Sequence, residues 1–295
     1  MKRILLGTDW WTDCDDAVAI RLLTNAVRRG EAELLGIGIN AAMPHSVASL
    51  RGFLAHSGLS VPIGLDRDAT DFGGSPSYQA RLAATLCPQG SNEEAEDAVH
   101  LYRRILANAT APLEMVEIGY LQVVAALLLS EGDDVSPKSG LELVKEKVSH
   151  LWVMAGKWDE DGGLENNFCR NARARRAAEV FCRLCPVPVT FLGWEVGNTV
   201  LSGGGLPEED PLCHVLRDHG SPDGRSSWDP MLALLALVGD PEQAGYRTVR
   251  GTARVDGETG ANFFTPSEEG QHRFAVKVMP DSYYEERLAA LLAAT

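Results

Sequence analysis

The sequence has few basic residues for its length, no long apolar run and no cysteine framework, and each absence narrows the possible functions. Lys and Arg total 27 against 41 Asp and Glu, which gives a net charge of −14. Because nucleic acids and anionic membranes bind clustered basic residues, we expect neither as a partner. No run is long enough to span a bilayer, and the first strand meets acidic residues too soon for a signal peptide. We therefore expect a cytoplasmic protein with a small-molecule ligand.

The spacing of the six cysteines is not typical of a metal site or of a disulfide framework. Only Cys182 and Cys185 stand two residues apart as in a zinc site, and no second pair accompanies them. We expect both to line the core side of a helix end. A chain of 295 residues with 45% hydrophobic content can bury a large core without disulfides, which suits a reducing compartment.

Apolar runs alternate with helical periodicity along most of the chain, which favours one α/β domain over residues 1–295. The predicted fold is a mostly parallel central sheet flanked by helices, followed by a carboxyl-terminal β-hairpin and an amphipathic helix. We expect this tail to cover the core or to join an interface between copies of the chain. The strands predicted before the hairpin are 3–8, 32–40, 61–65, 113–119, 150–156 and 187–193.

Residues 3–20 read RILLGTDWWTDCDDAVAI, where an apolar run stops at a cluster of carboxylates and resumes as a helix. Asp9, Asp13, Asp15 and Asp16 then lie in the turn after a strand of a parallel sheet, where open α/β sheets bind ligands. Four carboxylates in eight residues repel one another. We therefore expect a cation among them, and oxygen ligands favour Ca²⁺ or Mg²⁺.

Helix capping, an EF-hand loop and a phosphatase turn each fit these acids less well than a metal site of this kind does. Capping concerns the acids at the helix start but not Asp9, which sits at the strand tip. An EF-hand loop started at Asp13 would need Gly at its sixth position and Glu at its twelfth, where the chain has Val18 and Thr24. A phosphatase of the haloacid dehalogenase kind would need Asp-x-Asp at the strand end, and here two tryptophans follow the first Asp. A metal site remains the preferred interpretation.

Further polar residues follow predicted strands or begin helices, and each has an ordinary structural alternative. Asn40 ends the second strand and could simply be a turn residue. Glu165 and Asn167 come in the loop after strand 150–156, and the alternative is that Asn166 and Asn167 begin the next helix, with Glu165 solvated. Asp229 precedes Pro230 at the start of an apolar helix and could be its cap.

The stretch GTDWWTDCDDAVAI resembles the amino-terminal signature of the nucleoside hydrolases, the inosine-uridine-preferring family, in a divergent branch that reads DTDxGxDxDDAxA. The match needs no gap, but Gly7 replaces the first Asp and Trp11 replaces the glycine. Further blocks resemble the family in its order over residues 3–235: IGYLQVVAALL, HLWVMAG, Glu165-Asn166-Asn167 and Trp228-Asp229-Pro230, the last where much of the family has His-Asp-Pro. Separate blocks in one order make the hypothesis stronger than a lone motif.

The resemblance implies a Rossmann-like nucleoside hydrolase fold and hydrolysis of the N-glycosidic bond of ribonucleosides or related ribosides. It implies one Ca²⁺, held by Asp9, Asp16, Asp229 and the backbone carbonyl of Gln122. Asp9 is the predicted proton acceptor for the attacking water. The residues predicted to contact the substrate are Asp15, Asn40, His45, Glu165, Asn167, Trp228 and Asp229. We expect a homo-oligomer, either a dimer or a tetramer.

The least family-like feature is Trp228, which stands where a histidine would protonate the leaving base. An indole cannot deliver a proton at neutral pH. Trp10, Trp11, Trp158 or Trp228 could stack on a base, and His45 is the nearest alternative donor along the chain, although a loop histidine is more often a surface residue.

A second function therefore stays open. Gly7, Trp11 and Trp228 also fit a calcium-dependent nucleoside-binding or ribose-binding protein that has lost turnover. The sequence assigns no role to Asp13 or Glu195.

Overall fold

A ten-stranded sheet organises the protein in a computed structural model that describes residues 1–293. Its strand order is β11-β10-β12-β7-β6-β5-β1-β2-β3-β4, and β8 and β9 form a separate antiparallel pair. The strands are β1 (Lys2–Thr8), β2 (Ala32–Ile39), β3 (Ile63–Leu65), β4 (Glu96–Asp97), β5 (Leu113–Glu117), β6 (Val148–Met154), β7 (Val189–Leu192), β8 (Leu201–Ser202), β9 (Arg225–Ser226), β10 (Tyr246–Val255), β11 (Asn262–Pro266) and β12 (His272–Lys277).

Helices connect nearly all of the parallel strands. They are α1 (Asp15–Arg28), α2 (Ser46–His56), α3 (Gln79–Leu86), α4 (Ala98–Asn108), α5 (Gln122–Leu129), α6 (Gly140–Lys147), α7 (Asn166–Cys169), α8 (Ala172–Leu184), α9 (Trp194–Gly197), α10 (Pro211–His219), α11 (Trp228–Val238) and α12 (Asp281–Ala293), with a 3₁₀ turn at Asn92–Glu94. Over residues 1–293, none of these helices has both the length and the apolar character that crossing a bilayer requires.

The predicted mostly parallel sheet is confirmed, since the eight strands from β12 to β4 in the sheet order all pair in parallel. The predicted hairpin is also present, because β10 and β11 pair antiparallel from Val255 and Asn262 outward. The tail contains one strand more than predicted. That strand, β12, pairs antiparallel with β10 and parallel with β7, so it joins the hairpin to the main sheet.

Side chains alternate between two apolar layers on either face of β1. Ile4 and Leu6 belong to one buried cluster with α1, α2, α11 and α12, while Leu5 belongs to another with α4, α5, α6 and α8. This period of two is the signature of a central strand covered on both faces. It fixes the carboxyl end of β1, and therefore the acidic turn, at the middle of the sheet edge.

The carboxyl-terminal helix α12 packs against α1 and α11. Tyr284 and Leu288 are fully buried there, and the Asn25 amide donates to the carbonyls of Leu291 and Leu292 at 3.0 and 3.1 Å. The tail therefore covers the core, which was one of the two predicted roles.

The cysteines follow the prediction as well. Cys182 and Cys185 are buried free thiols at the end of α8.

Candidate functional site

A cavity of about 460 Å³ opens at the carboxyl edge of the sheet, beyond β1, β5, β6 and β7. Its volume is in the range of small-molecule sites. Three indole rings line it, from Trp11, Trp194 and Trp228, and so do residues of the loop before α7. The acidic side chains in its wall are Asp9, Asp13, Asp15, Asp16, Glu165 and Asp229.

Three carboxylates from opposite ends of the chain meet in this wall. One oxygen from each of Asp15, Asp16 and Asp229 lies within 4.8 Å of the others, and all three side chains are buried. The backbone N–H of Asp229 donates to Asp15 Oδ2 at 3.1 Å, which links the start of α11 to the start of α1. Asp16 accepts hydrogen bonds from the Thr8 hydroxyl and from the Trp10 N–H, the latter at 3.2 Å.

The local backbone shows how the acids converge. Trp10 has a φ of +44°, so the chain turns sharply between the end of β1 and the start of α1. This is a left-handed conformation that non-glycine residues seldom adopt. Asp15 and Asp16 then occupy the first turn of α1, and Asp229 occupies that of α11. Helix amino termini favour negative charge, so both helices stabilise the cluster.

The capping alternatives are wrong for these residues. The residue before α1 is Cys14 and the residue before α11 is Ser227, and neither side chain makes a capping hydrogen bond. Asp15, Asp16 and Asp229 lie one or two positions inside their helices and point to one another.

Burial and mutual repulsion disfavour ionisation of the cluster. Burial is the largest cause that raises the pKa of Asp9, Asp15 and Asp229 well above the usual aspartate range, and the neighbouring acids raise it further. Burial also raises the pKa of Asp16, to about 6, although the bonds from Thr8 and Trp10 hold it down. Within residues 1–293 no Lys, Arg or His forms an ion pair with any of these four, so an oxygen-binding divalent cation fits the donor set and would neutralise it.

The predicted metal ligands are brought together only in part. Asp16 and Asp229 belong to the cluster, but its third member is Asp15, which the family pattern had assigned to the sugar. Asp9 lies beside Asp16, close enough for the two carboxyl groups to share a hydrogen bond. Gln122 begins α5 and is not part of the cavity wall, and its side-chain amide donates to the Asn40 carbonyl instead.

Asn40 forms hydrogen bonds at the carboxyl edge of the sheet and does not line the cavity. Its Oδ1 accepts the N–H of Tyr120 at 3.0 Å and its backbone carbonyl accepts from Gln122, so it links the ends of β2 and β5. Its predicted contact with a sugar hydroxyl stays a prediction.

His45 is an exposed residue immediately before α2, outside the cavity wall, as its surface alternative stated.

Glu165 and Asn167 form the opposite wall. Glu165 is buried and accepts the N–H of Asn167 at 2.9 Å and that of Gly156 at 3.0 Å, while the Asn167 amide donates to the Met154 carbonyl at 2.9 Å. Burial raises the pKa of Glu165 to about 7, against the effect of these donors. Asn166 and Asn167 do begin α7, as the structural alternative stated, but Glu165 is the buried cap of this helix and is not solvated.

The three cavity tryptophans are positioned by contacts that leave their rings in the wall. The Trp228 indole N–H donates to the Trp194 carbonyl at 2.8 Å, and the Trp11 indole N–H donates to the Gly73 carbonyl at 2.8 Å. Trp194 is 39% exposed, and the sequence had assigned it no contact with a ligand.

Trp10 and Trp158 cannot stack on a ligand here. Trp10 is fully buried with its N–H on Ser49, and Trp158 packs among phenylalanines on the far side of the wall.

Asp13, which had no assigned role, makes a two-pronged ion pair with Arg225 at 2.8 and 2.6 Å. Burial alone would raise the pKa of Asp13, but the bonds and charge of Arg225 outweigh it and bring the pKa below its usual value. The same guanidinium lies 5.1 Å from the Trp228 ring centroid. Asp13 therefore orients Arg225 against Trp228, and no motif in the sequence indicates this chain of contacts.

The loss of the first signature aspartate has a structural counterpart. A Cβ at Gly7 would overlap the carboxyl group of Glu117, which lies opposite Gly7 on the paired strand β5. Glu117 is fully buried, its Oε1 lies 3.3 Å from the Tyr102 hydroxyl, and burial raises its pKa to about 8. A carboxyl group from β5 thus fills the space beside position 7.

These features define an α/β protein with an acidic, tryptophan-lined cavity at the carboxyl edge of a parallel sheet. The inosine-uridine preferring nucleoside hydrolase from Bacillus anthracis has a similar structure, with a TM-score of 0.71, 14% identity and 100% of both chains covered. An inosine-guanosine nucleoside hydrolase matches with a TM-score of 0.73 and 15% identity, over 99% of this chain and 98% of that one.

A third similar structure is that of the type III effector protein XopQ, determined with adenosine diphosphate ribose. It has a TM-score of 0.68 and 18% identity, over 99% of this chain and 92% of that one. No protein-family model and no curated protein sequence matches the chain. The chain has the nucleoside hydrolase fold, as its motifs predicted.

Proposed function

We propose that the protein is a calcium-dependent N-ribohydrolase, which cleaves ribonucleosides or related ribosides into base and ribose. The observation that carries the proposal is the meeting of Asp15, Asp16 and Asp229 in one buried cluster beside Asp9. Among the described residues, no Lys, Arg or His forms an ion pair with any of these four acids. The similarity to two nucleoside hydrolases and to an effector bound to adenosine diphosphate ribose supports a ribose-containing ligand.

The residues that would hold Ca²⁺ are Asp15, Asp16, Asp229 and Asp9, whose oxygens suit a hard cation. Bound Ca²⁺ would keep these carboxylates ionised and lower the pKa of an adjacent water. The family resemblance implies that the backbone carbonyl of Gln122 is a further ligand. The Gln122 side chain donates to the Asn40 carbonyl, which does not affect the backbone carbonyl, so this ligand remains a proposal.

We assign the remaining roles from the family resemblance, and the position of these side chains in the cavity wall supports them. Asp9, at the tip of β1, accepts a proton from the water that attacks C1′ as the N-glycosidic bond breaks. Glu165 and Asn167 on the opposite wall hold the 5′ end of the sugar, and Asp229 and Asp15 take its other hydroxyls. Trp11, Trp194 and Trp228 enclose the base, because their indole rings line the cavity.

A second function has its own support. Among the described residues no histidine lines the cavity, and Trp228 cannot protonate a leaving base. These features favour a calcium-dependent nucleoside-binding or ribose-binding protein without turnover.

Ribose release from a panel of nucleosides, measured with Ca²⁺ and with a chelator, separates the two functions. Release that requires Ca²⁺ supports the hydrolase. Thermal stabilisation by Ca²⁺ and nucleoside without any product would support the binding protein instead.

We also expect a homo-oligomer, a dimer or a tetramer, and light scattering of the purified protein measures this directly.

A further inference from the structure

One basic side chain, that of Arg170, lines the cavity among six acidic ones. It follows α7 directly, and its guanidinium carbon lies 4.6 Å from the ring centroid of Trp11. Its Nε and Nη2 donate to the Phe72 carbonyl at 3.3 and 2.9 Å. The indole and the carbonyl therefore fix the orientation of the guanidinium at the cavity wall.

Arg170 is held in place but not neutralised. No carboxylate in residues 1–293 forms a salt bridge with it, although the chain has 41 acidic and 27 basic residues. Its neighbour Arg173, by contrast, pairs with Asp71 at 3.1 Å. Arg170 is exposed at the cavity wall, and its Nη1 has no protein acceptor among the described residues. That edge is therefore accessible to a ligand, and a planar guanidinium edge matches the oxygens of a phosphate.

The position of Arg170 indicates which part of a riboside it would meet. It comes three residues after Asn167, and Asn166 in the same segment also lines the cavity. In the proposed function, on which this inference rests, Glu165 and Asn167 hold the 5′ end of the ribose. We propose that Arg170 binds a phosphate on the 5′ carbon, so that the site takes 5′-phosphorylated ribosides in preference to free nucleosides.

The simpler role for Arg170 is only to tie the loop around Phe72 to α7. That role requires the contacts of Arg170 with the Phe72 carbonyl and the Trp11 ring. It does not require a positive charge in the wall of an acidic cavity. Without this cation the carboxyl groups of the wall would repel a phosphorylated sugar.

Calorimetry with ribose and ribose 5-phosphate at a fixed Ca²⁺ concentration tests the proposal without requiring turnover. The wild-type protein should bind ribose 5-phosphate roughly 10- to 100-fold more tightly than ribose, which is the scale of hydrogen bonds to charged groups. Arg170→Met should abolish most of this preference and leave ribose binding intact. Arg170→Lys, which keeps the charge but not the planar edge, should retain part of it.

Arg173→Met is the matched control, because it removes a guanidinium that contacts the same loop from outside this cavity. It should keep the wild-type ratio of the two affinities. An unchanged ratio in Arg170→Met, or an equal loss of both sugars in Arg170→Met and Arg170→Lys, would overturn the proposal.

Failure of the proposed function gives a different result. If no riboside, phosphorylated or not, releases ribose while calorimetry still shows the Arg170-dependent preference, the hydrolase is refuted and the phosphate site stands. If neither sugar binds the wild-type protein, both are refuted.

Discussion

Replacing Glu117 by Gln should stabilise the protein increasingly as the pH rises. Glu117 is fully buried, and its only hydrogen-bonding neighbour among the described residues is the Tyr102 hydroxyl. Burial raises its pKa from an ordinary 4.5 to about 8. The folded protein therefore binds this proton more tightly than the unfolded chain does. The resulting stability is fully present below pH 4.5 and is lost as the pH rises towards 8.

The size of the effect follows from that pKa difference. Each unit of pKa difference corresponds to about 1.4 kcal/mol, so the wild-type protein should lose about 2 to 3 kcal/mol of unfolding free energy through Glu117 between pH 5 and pH 7. Glu117→Gln has no carboxyl group to ionise and avoids this loss. The Oε1 atom of the glutamine can still accept a hydrogen bond from the Tyr102 hydroxyl. The advantage of the variant should therefore grow across this range.

Urea unfolding of both proteins at several pH values measures the difference in unfolding free energy. The acids of the cavity are common to both proteins, and the raised pKa of Glu117 arises from burial, which the Tyr102 hydrogen bond partly offsets, and not from those acids. Glu114→Gln, on the same strand but paired with Lys2 at 2.6 Å, controls for the loss of a negative charge from β5. If the difference between Glu117→Gln and wild type stays constant from pH 5 to pH 7, the raised pKa of Glu117 is wrong.

Three further predictions concern the cavity. Asp16→Asn and Asp229→Asn should each weaken Ca²⁺ binding strongly, because each removes an oxygen donor from the cluster, and calorimetry that finds unchanged affinity in both would exclude the site. Glu165→Ala and Asn167→Ala should weaken ribose binding while Ca²⁺ affinity survives, and loss of both together would mean that this wall has been misassigned. Because Trp228 cannot act as a general acid, p-nitrophenyl riboside should be cleaved much faster than inosine or uridine, roughly in line with the 10²- to 10⁴-fold worth of general acid catalysis. Trp228→His should reduce that preference, and efficient hydrolysis of inosine by the wild-type protein would argue against it.

Much of the fold could be predicted because the central strands are long, apolar and separated by helices. The predicted strands 3–8 and 113–119 correspond closely to β1 and β5. The two-residue strand β4 was not predicted, since so short a strand leaves no periodic pattern. The parallel pairing of β12 with β7 was also missed, because it depends on a contact between segments far apart in the chain.

The sequence predicts the site residues that belong to motifs, but not the single side chains that also line the cavity. The acids of the turn and Asp229 lie in recognisable motifs, and they do meet. Arg170 stands outside the motifs, and the sequence does not indicate that Trp194 or Arg170 lines the cavity.

His45 shows the opposite error. His45 is near the predicted site along the chain, but its side chain, immediately before α2, is exposed and lies outside the cavity wall. Nearness in sequence does not place a side chain within reach of a site that is built from distant elements.

The proposed hydrolase depends above all on Asp9, which activates water for cleavage of the N-ribosidic bond. Ribose release from p-nitrophenyl riboside by wild-type protein and by Asp9→Asn, with bound Ca²⁺ quantified in both, tests this role directly. We predict release by the wild-type protein that requires Ca²⁺, and a loss of roughly 10²-fold or more in Asp9→Asn beyond any loss of bound metal. Equal rates in the two proteins at equal Ca²⁺ occupancy, or no release by the wild-type protein with Ca²⁺ bound, would contradict it.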